Sequence, residues 1–346
     1  FQAEDGIRDY KVTGVQTCAL PIFMIDKAHI LVTGGLGAIG SALCRALLKR
    51  DVAVLAIIDD LSSSEKEMGK DILADDRVVF LEDSIMSNDC LAAAFEHAPS
   101  VVFHLAAHFA NQNSVEHPVE DCLVNSVGTL KLLEQAQKNG VKKFAFASSS
   151  CVYGNETSSA VDSHTLRLDT PYAINKLHGE YLVKFYHEYH GMDTTILRYF
   201  NSFGEGELPG RYRSVIPNFF SLAMQGRTLP ITGGADISRD FNYIDNSVAG
   251  TIAAVEFPVS KGQTYNIGSG VDTKIVDLAE MINEITGSKA GIEMGKRRKW
   301  DTIPNRRADI SKTERDLDYR PVIDLPNQLR ATCEWLKKHE QYFQPL

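Results

Sequence analysis

The sequence predicts an α/β protein in which a doubly wound parallel sheet carries a smaller C-terminal α/β lobe. Two observations support this fold class. Near-continuous apolar runs recur along the first 200 residues between segments of helical spacing, as in a parallel sheet that helices cover on both faces. The first run also enters its helix through a glycine-rich turn. With 346 residues, 44% of them hydrophobic, the chain can bury the large core that such a sheet requires.

The glycine turn follows an apolar strand at residues 30–32 and precedes an apolar helix at residues 41–48. Missing side chains allow a tight turn and close approach of the main chain to a pyrophosphate, and the N-terminus of the following helix attracts an anion. Ordinary loops also contain glycines, but this strand and helix context predicts a dinucleotide site. The expected cofactor contacts are Gly34, Gly37, Ala38, Ile39 and Gly40.

An acidic residue follows the next predicted strand, at residues 52–58. Asp59 lies 19 residues after Gly40, close to the spacing of about 20 at which a carboxylate accepts hydrogen bonds from the adenosine ribose. A carboxylate would repel the 2′-phosphate of NADP, and residues 61–64 contain no arginine. The predicted cofactor is therefore NAD. The alternative is that Asp59 only caps a helix or stabilises a turn.

Three further strands are predicted for the sheet, at Val78–Leu81, residues 101–107 and residues 143–147. A long helix is predicted between the last two strands, at residues 119–139. Two histidines lie near the end of the second of these strands. His104 lies inside the apolar run, which favours a buried core histidine over a catalyst. His108 follows the strand, where ligands of parallel sheets collect, and its role stays open.

The chemical centre is predicted at Tyr172 and Lys176, after a strand that ends in serines. Four residues apart on a helix, the two side chains lie on one face. A phenol with a pKa of about 10 is a poor base at neutral pH, but a nearby ammonium group and a positive nicotinamide would lower that pKa. A serine hydroxyl at the strand end can share the proton of a substrate alcohol. The alternative is an exposed helix face on which tyrosine and lysine have this spacing by chance.

The net charge of −9 gives no reason to expect a nucleic acid as partner. No apolar run is long enough to span a bilayer, so no membrane partner is predicted. The cysteines lack the paired spacing of a zinc site or a disulfide framework, which favours a reducing compartment, the cytoplasm, and predicts no metal. They are Cys18, Cys44, Cys90, Cys122, Cys151 and Cys333.

The first 23 residues do not read as part of the fold. They mix charge, glycine and one proline without the period of a strand or a helix, and they lack the basic start and apolar centre of a signal peptide. The segment resembles the translation of a sequencing adapter more than natural protein. We therefore expect residues 1–23 to be a non-native or disordered leader, with Met24 as the true start.

Six short motifs occur in an order that resembles one known family. They are residues 33–40 (TGGLGAIG), 104–107 (HLAA), 125–129 (NSVGT), 148–154 (SSSCVYG), 172–176 (YAINK) and 198–201 (RYFN). Together they are similar to the extended short-chain dehydrogenase/reductase family, and within it to NAD-dependent sugar-nucleotide epimerases and dehydratases of the UDP-glucose 4-epimerase type. The resemblance covers nearly all of residues 24–346 and implies a Rossmann-type sheet that binds NAD.

The resemblance also implies roles for the residues in these motifs. Tyr172 would be the catalytic acid/base, Lys176 would bind the nicotinamide ribose and tune the tyrosine, and Ser149 would be the catalytic hydroxyl. Ser150 is its close rival and a candidate substrate contact. The further cofactor contacts that the resemblance implies are Ala106, Asn125, Tyr172 and Lys176.

The sequence departs from part of this family beside the catalytic serine. Members that dehydrate or decarboxylate the sugar usually carry acidic residues there, because those reactions need a further acid/base. Ser150 and Cys151 stand in those places, which favours oxidation followed by re-reduction, and so epimerisation at C4 of a UDP-hexose. The alternatives are an NAD-dependent sugar-nucleotide reductase or dehydratase and a non-catalytic NAD-binding regulatory protein.

The resemblance divides the chain into an NAD-binding domain at residues 24–200, to which later segments return, and a mainly substrate-binding lobe at residues 201–346. It also implies a homodimer through helices at residues 119–139 and 172–190. The nucleotide-sugar substrate would be bound in the lobe by Asn201, Asn218, Arg239 and Arg307.

Two choices among the arginines stay open. A guanidinium fork suits a diphosphate, but Arg239 could instead form a surface ion pair with Asp236 or Asp240. For the second diphosphate arginine, Arg298 and Arg306 compete with the favoured Arg307.

Overall fold

The computed structural model describes residues 25–154, 168–299, 301 and 303–343; the leader expected at residues 1–23 lies outside them. Within the described residues, the strands are β1 (His29–Thr33), β2 (Val54–Ile58), β3 (Val78–Leu81), β4 (Val101–His104), β5 (Lys143–Ser149), β6 (Thr194–Tyr199), β7 (Asn201–Phe203), β8 (Leu229–Thr232), β9 (Ser238–Tyr243), β10 (Gln263–Ile267), β11 (Asp272–Lys274), β12 (Ile292–Gly295) and β13 (Asn305–Arg306). The α-helices are α1 (Ala38–Leu48), α2 (Lys70–Leu73), α3 (Asn88–Glu96), α4 (Asn111–Glu116), α5 (Pro118–Cys122), α6 (Thr129–Lys138), α7 (Pro171–His190), α8 (Val215–Met224), α9 (Ile244–Glu256), α10 (Ile275–Thr286), α11 (Ser311–Leu317) and α12 (Leu325–Lys337).

Seven strands form one parallel sheet in the order β10-β6-β5-β4-β1-β2-β3, which confirms the predicted doubly wound sheet. The chain begins in the middle at β1, runs outward through β2 and β3, and then crosses to β4 on the other side of β1. The loops after β1 and β4 therefore diverge and open a crevice in which a ligand can bind. The glycine turn follows β1 and lies at this crevice.

Apolar residues cover both faces of the large sheet, as parallel strands require. On one face, α1 and α9 pack around a cluster that includes Leu43 and Val255. On the other, α3, α6 and α7 pack around a cluster that includes Leu133 and Val183. Among the described residues, no helix has both the length and the apolar character to cross a membrane.

The second part of the chain contributes to the large sheet and also builds a separate layer. Strand β10 pairs with β6 at the edge of the large sheet. In the separate layer, β9 pairs with β7, β11 and β13, and β8 pairs with β12. Helices α8, α10 and α12 pack there on a third cluster that includes Phe220, Leu278 and Leu336. The division of function at residue 200 stays a prediction.

Strand β4 is shorter than the predicted strand at residues 101–107. It ends at His104, which pairs with Thr33, the last residue of β1. Beyond the strand, the Thr33 carbonyl accepts the N–H of Leu105 at 3.1 Å and the Thr33 hydroxyl accepts the N–H of Ala106 at 3.2 Å. These bonds direct the loop after β4 toward the glycine turn.

The helix predicted at residues 119–139 is interrupted. A π-helical turn, Leu123–Gly128, separates α5 from α6. A Cβ on Gly128 would lie 2.7 Å from the Cδ1 of Ile85, so glycine lets this turn pack closely against the loop after β3.

Candidate active site

A cavity of about 950 Å³ runs along the carboxyl ends of the large sheet and into the second layer. Its walls are the glycine turn, the loops after β2, β4 and β5, the first turns of α7 and parts of the later chain. The predicted site residues that line it are Gly34, Gly37, Ala38, Ile39, Gly40, Asp59, Ala106, Ser149, Ser150, Tyr172, Lys176, Asn201, Asn218 and Arg239.

The glycine turn is closely packed against itself. Gly34 has a φ of +69° and donates its N–H to the Ile58 carbonyl at 2.7 Å. A Cβ on Gly40 would lie 2.8 Å from the Gly35 Cα and would overlap the Gly34 carbonyl oxygen. Gly37 lines the cavity and precedes α1 with no side-chain cap from the described residues. The first N–H groups of α1 therefore remain available to an anion such as a pyrophosphate.

Asp59 lies buried at the end of β2 and stabilises this turn. One carboxylate oxygen accepts the Leu36 N–H at 2.8 Å, and the other accepts the Leu61 N–H at 3.0 Å and the Ser64 hydroxyl at 2.8 Å. The turn-stabilising role that was the alternative is thus present. Asp59 also lines the cavity, and its contact with a ribose stays a prediction.

His104 is held in the core of the sheet. Its Nδ1 lies 2.8 Å from the Thr33 hydroxyl and its Nε2 lies 2.9 Å from the Thr129 hydroxyl. Burial lowers the pKa of His104 to about 3, and the nearby Lys176 ammonium adds to this effect. The ring is therefore neutral, with both nitrogens in structural hydrogen bonds.

Asn125 does not line the cavity, and its predicted contact with the cofactor stays a prediction. Its Oδ1 accepts the His108 N–H at 3.0 Å, and its Nδ2 donates to the His108 carbonyl at 3.0 Å and to Asp121 at 2.9 Å. Because an amide matches both a main-chain donor and an acceptor, Asn125 fixes the loop after β4. It is a positioning residue for the cavity wall.

A buried polar network supports this wall from α5 and α7. Asp121 accepts from the amide of Asn175 at 2.7 Å, and the Ser126 hydroxyl donates to the same amide at 2.9 Å. His108 Nδ1 lies 3.7 Å from Asp121. Burial raises the pKa of Asp121, and its hydrogen bond from Asn175 opposes the rise. This network was not predicted from the sequence, although Asn175 lies within the motif that begins at Tyr172.

The three predicted catalytic residues lie on one wall of the cavity. Ser149 ends β5, and Tyr172 and Lys176 lie on the first turns of α7. The Thr170 hydroxyl caps that helix by accepting a main-chain N–H at 3.2 Å, and Pro171 occupies its first position. Both are strong helix-start residues, and they fix where the tyrosine and the lysine emerge.

Burial is the largest influence on the pKa values of Tyr172 and Lys176. Burial raises the pKa of the Tyr172 phenol, Cys151 and Asp121 add to the rise, and a hydrogen bond with Ser149 opposes it. Burial also lowers the pKa of Lys176 to about 8, and the negative charge of Asp121 opposes this fall. The Lys176 Nζ donates to a β5 carbonyl at 2.9 Å and lies 5.8 Å from the Tyr172 ring centre. The lowered tyrosine pKa expected from the lysine is therefore not seen in the protein alone.

The residues after Ser149 form a short 3₁₀ helix, Ser150–Tyr153. Ser150 is buried and lines the cavity, as does Cys151, whose Sγ accepts the amide of Asn111 at 3.3 Å. This part of the wall therefore presents a hydroxyl and a thiol next to Ser149.

The two predicted asparagines of the later chain hold loops of the cavity wall. The Asn201 amide donates to the Asp240 carbonyl at 2.9 Å. Asn218 accepts the Gly210 N–H at 2.9 Å and donates to its carbonyl at 3.0 Å. Their contact with a substrate stays a prediction.

Arg239 lines the cavity and forms an ion pair, but with neither foreseen partner. Its Nη2 lies 3.0 Å from Asp301, and its Nη1 donates to the Pro304 carbonyl at 3.0 Å. Burial lowers the pKa of the guanidinium. Asp236 pairs with a lysine instead, and Asp240 is buried among main-chain N–H donors. The side chain of Arg239 is thus fixed at the cavity.

Arg298 and Arg306 line the cavity, whereas Arg307 is exposed and does not. Arg306 ends β13, and successive side chains of an extended segment point to opposite sides. The predicted substrate contact of Arg307 stays a prediction, and its two rivals, unlike Arg307, lie on the cavity wall.

Two further wall residues were missed. Glu207 is buried, and its carboxylate accepts the Ser214 N–H at 3.0 Å and the Ser214 hydroxyl at 2.6 Å; burial raises its pKa. Arg213 donates to the Ser63 carbonyl and so links the later chain to the loop after β2. Both line the cavity, and no local pattern marks either residue in the sequence.

Comparison with known proteins gives a consistent picture. A family model described as the NAD dependent epimerase/dehydratase family matches residues 30–268. A UDP-glucose 4-epimerase of Mycolicibacterium smegmatis is 30% identical over 313 residues, which are 90% of this chain and 99% of that protein.

Solved structures agree with this match. An epimerase of Methanothermobacter thermautotrophicus superposes with a TM-score of 0.87 and 38% identity, covering 92% of this chain and 94% of its own. A UDP-glucuronic acid 4-epimerase of Bacillus cereus, in complex with UDP-glucuronic acid and NAD, superposes with a TM-score of 0.83 and 29% identity, covering 90% of this chain and 99% of its own.

Proposed function

Because this chain belongs to the NAD-dependent epimerase/dehydratase family, we propose that it epimerises a nucleotide-activated sugar, with C4 of a UDP-hexose as the centre inverted. One observation carries the proposal: Ser149, Tyr172 and Lys176 share a cavity wall with the glycine turn. NAD bound at the glycine turn and the acid/base Tyr172 could therefore act on the same substrate in this cavity.

The glycine turn fits the cofactor. A side chain on Gly34 or Gly40 would collide with neighbouring backbone, and α1 directs uncapped N–H groups toward the cavity. When bound there, NAD would supply the hydride-accepting and hydride-donating chemistry at the sugar carbon.

The side chains of Tyr172 and Ser149 act on the proton and the oxygen of the reacting sugar hydroxyl. Tyr172 removes it as the sugar is oxidised and returns it after the keto-sugar has presented its other face, while Ser149 hydrogen-bonds the same oxygen. The pKa of about 8 keeps Lys176 charged at neutral pH, so it supplies a positive charge that favours the phenolate. Burial, with Cys151 and Asp121, raises the pKa of Tyr172, and proton removal therefore depends on positive charge close to the phenol.

The wall beside Ser149 favours epimerisation over dehydration. Ser150 and Cys151 line the cavity there, and neither supplies a carboxylate for removing a second proton. Beyond the sugar, Arg239 is well placed for the diphosphate because its planar fork matches phosphate oxygens. Arg298, also on the wall, is the candidate for the second phosphate contact.

We also propose that two copies associate through α7 and the helical stretch of α5 and α6. Apolar side chains remain exposed there, with Tyr189 75% and Val119 65% exposed. Phe185 is also exposed and stacks on Tyr189, with ring centres 5.2 Å apart. Light scattering should find a dimer for the unmodified protein and a monomer for Phe185→Glu; the cytoplasmic location stays a prediction.

The reaction is tested by incubating the NAD-loaded protein with UDP-, GDP-, CDP- and dTDP-sugars and analysing the products by NMR. We expect an epimer of one sugar with no net gain in absorbance of reduced cofactor. A 4-keto-6-deoxy product would identify a dehydratase, and accumulation of reduced cofactor would identify a dehydrogenase. Tyr172→Phe should abolish turnover while NAD still binds, and near-normal activity of that variant would contradict the assignment of Tyr172.

A further inference from the structure

The loop after β4 is strained next to the predicted catalytic centre. Ala110 has a φ of +85°, a conformation that is costly for a residue with a side chain and persists only where neighbouring contacts enforce it. Before this residue, Asn125 holds the main chain of His108 by two hydrogen bonds. After it, the Ser114 N–H donates to the Ala110 carbonyl at 3.0 Å. The loop is thereby held in a conformation that presents the next residue, Asn111, at the cavity wall.

The side-chain amide of Asn111 connects two segments of the predicted catalytic centre. Its Nδ2 donates to the Sγ of Cys151 at 3.3 Å, in the short helix that follows Ser149. Its Oδ1 accepts the Thr170 hydroxyl at 2.7 Å, at the start of α7. An amide carries both a donor and an acceptor, so one side chain joins the two segments. An aliphatic side chain of similar size could join neither.

The contact with Cys151 leads to the serine. The Cys151 N–H donates to the Ser149 Oγ at 3.2 Å. Because this bond uses a lone pair of the oxygen, the hydroxyl proton of Ser149 remains free for the phenol of Tyr172. That serine–tyrosine bond opposes the rise in the tyrosine pKa that burial causes.

The contact with Thr170 leads to the tyrosine. The Thr170 hydroxyl gives its only proton to Asn111, so its lone pairs face α7 and accept the Ala173 N–H at 3.2 Å. Tyr172 lies in this first turn. Threonine caps a helix without a further partner, and a thiol is a weak acceptor. Stability alone therefore explains neither bond of Asn111, whereas a fixed separation of the two segments explains both.

We propose that Asn111 is a positioning residue for the reaction: it holds the Ser149 and Tyr172 hydroxyls at the separation that lets both act on one sugar oxygen. The inference rests on the proposed epimerase function and adds a residue to its machinery. Asn111 acts through Cys151 and Thr170 and needs no bond to the sugar. A misplacement of about 1 Å can cost about a hundredfold in rate, so loss of this bridge should lower kcat more than it changes KM.

The test compares four NAD-loaded proteins: the unmodified chain, Asn111→Leu, Asn111→Asp and Asn327→Leu. Leucine removes both bonds at similar size, whereas aspartate keeps the acceptor for Thr170 and loses the donor for Cys151. Asn327 is the matched control, because its amide donates at 2.8 Å to Asp324, the capping residue of α12, outside the cavity wall. With UDP-glucose as the probe, NMR of epimer formation gives kcat and KM, and thermal unfolding reports folding.

A spectroscopic measurement follows Tyr172 without turnover. NMR of protein whose tyrosines are isotope-labelled at Cζ reports the ionisation and hydrogen bonding of each phenol. The Tyr172 signal is identified by its absence from the spectrum of Tyr172→Phe.

We expect Asn111→Leu to lower kcat by about tenfold to a hundredfold, with KM within about threefold of the unmodified chain. The Tyr172 signal should shift, because the phenol loses its aligned bond with Ser149. Asn111→Asp should lose less activity, since it keeps the bond to Thr170. Asn327→Leu should match the unmodified chain in kcat, KM and the Tyr172 signal.

An unchanged Tyr172 signal in Asn111→Leu would overturn the proposal, whatever the kcat or Tm of that variant. So would a rise in KM with unchanged kcat, because Asn111 would then bind the substrate directly. If the unmodified chain does not epimerise UDP-glucose, the proposed function fails for that sugar, while the Tyr172 signal still decides the role of Asn111. If Asn111→Leu does not fold, the same readouts on Asn111→Asp decide.

Discussion

Substituting Gly40 by alanine tests whether the glycine turn is needed for both folding and cofactor binding. The added Cβ would lie 2.8 Å from the Gly35 Cα and overlap the Gly34 carbonyl oxygen. All these atoms belong to the backbone, so no rotamer change relieves the collision and the turn itself must move. We expect a loss of about 1–3 kcal/mol in the free energy of unfolding, as in other overpacked sites, and a drop of several degrees in Tm.

Two other glycines make the experiment specific. A Cβ on Gly37 has ordinary contact, 3.4 Å from the Gly34 carbonyl oxygen, but Gly37 lines the cavity. Gly37→Ala should therefore keep its Tm and lose about tenfold or more in NAD affinity, because the methyl group separates the helix N-terminus from the pyrophosphate. Nothing lies within 4 Å of a Cβ on Gly291, so Gly291→Ala should leave both quantities unchanged.

Calorimetric NAD titration and thermal unfolding of the three variants complete the test. We expect Gly40→Ala to lose both stability and NAD affinity, since the displaced turn carries the N-terminus of α1 with it. A Gly40→Ala variant with the Tm and NAD affinity of the unmodified chain would refute the role assigned to this turn.

Three further predictions concern buried polar groups. The pKa of Lys176 is about 8 in the folded protein against an ordinary 10.5, so the unfolded chain binds more protons between these pH values. The free energy of unfolding of the cofactor-free protein should therefore rise with pH across that window, relative to Lys176→Met, in urea titrations. Glu180 holds the buried Arg198 by two bonds of 2.8 and 2.7 Å. Glu180→Ala should cost about 3–5 kcal/mol by leaving that charge unpaired, and adding Arg198→Met should recover part of the loss in a double-mutant cycle. Asn125→Ala unpairs the His108 N–H and carbonyl and should cost about 2–4 kcal/mol in urea unfolding; an unchanged midpoint would exclude a positioning role.

The parts of the site that sequence predicted best are those set by local pattern. The glycine turn, the end of β2 and the spacing of Tyr172 and Lys176 all depend on residues close in the chain, and the structure brings them to one cavity. The parallel sheet followed from apolar runs whose burial the structure confirms.

The sequence could not predict the direction of side chains, which tertiary contacts decide. The Asn125 amide bonds the main chain of His108, and Arg306 lines the cavity whereas Arg307 does not. Asp301 was not foreseen as the partner of Arg239, since the two lie far apart in the sequence. No periodicity encodes such long-range pairings.

The late return of β10 to the large sheet has a consequence for synthesis of the chain. Strand β6 is buried along its whole length, and its outer neighbour β10 follows only after α8, α9 and three further strands. The Phe200 N–H and the Tyr153 hydroxyl likewise find their acceptors at Ile267 and Asn266. Until the ribosome has synthesised β10, the nascent chain exposes β6 as an unpaired apolar edge strand. Such an edge can pair with other chains and cause aggregation. A fragment that stops at residue 200 would keep that edge open permanently and should aggregate, whereas one that extends through β10 can close it.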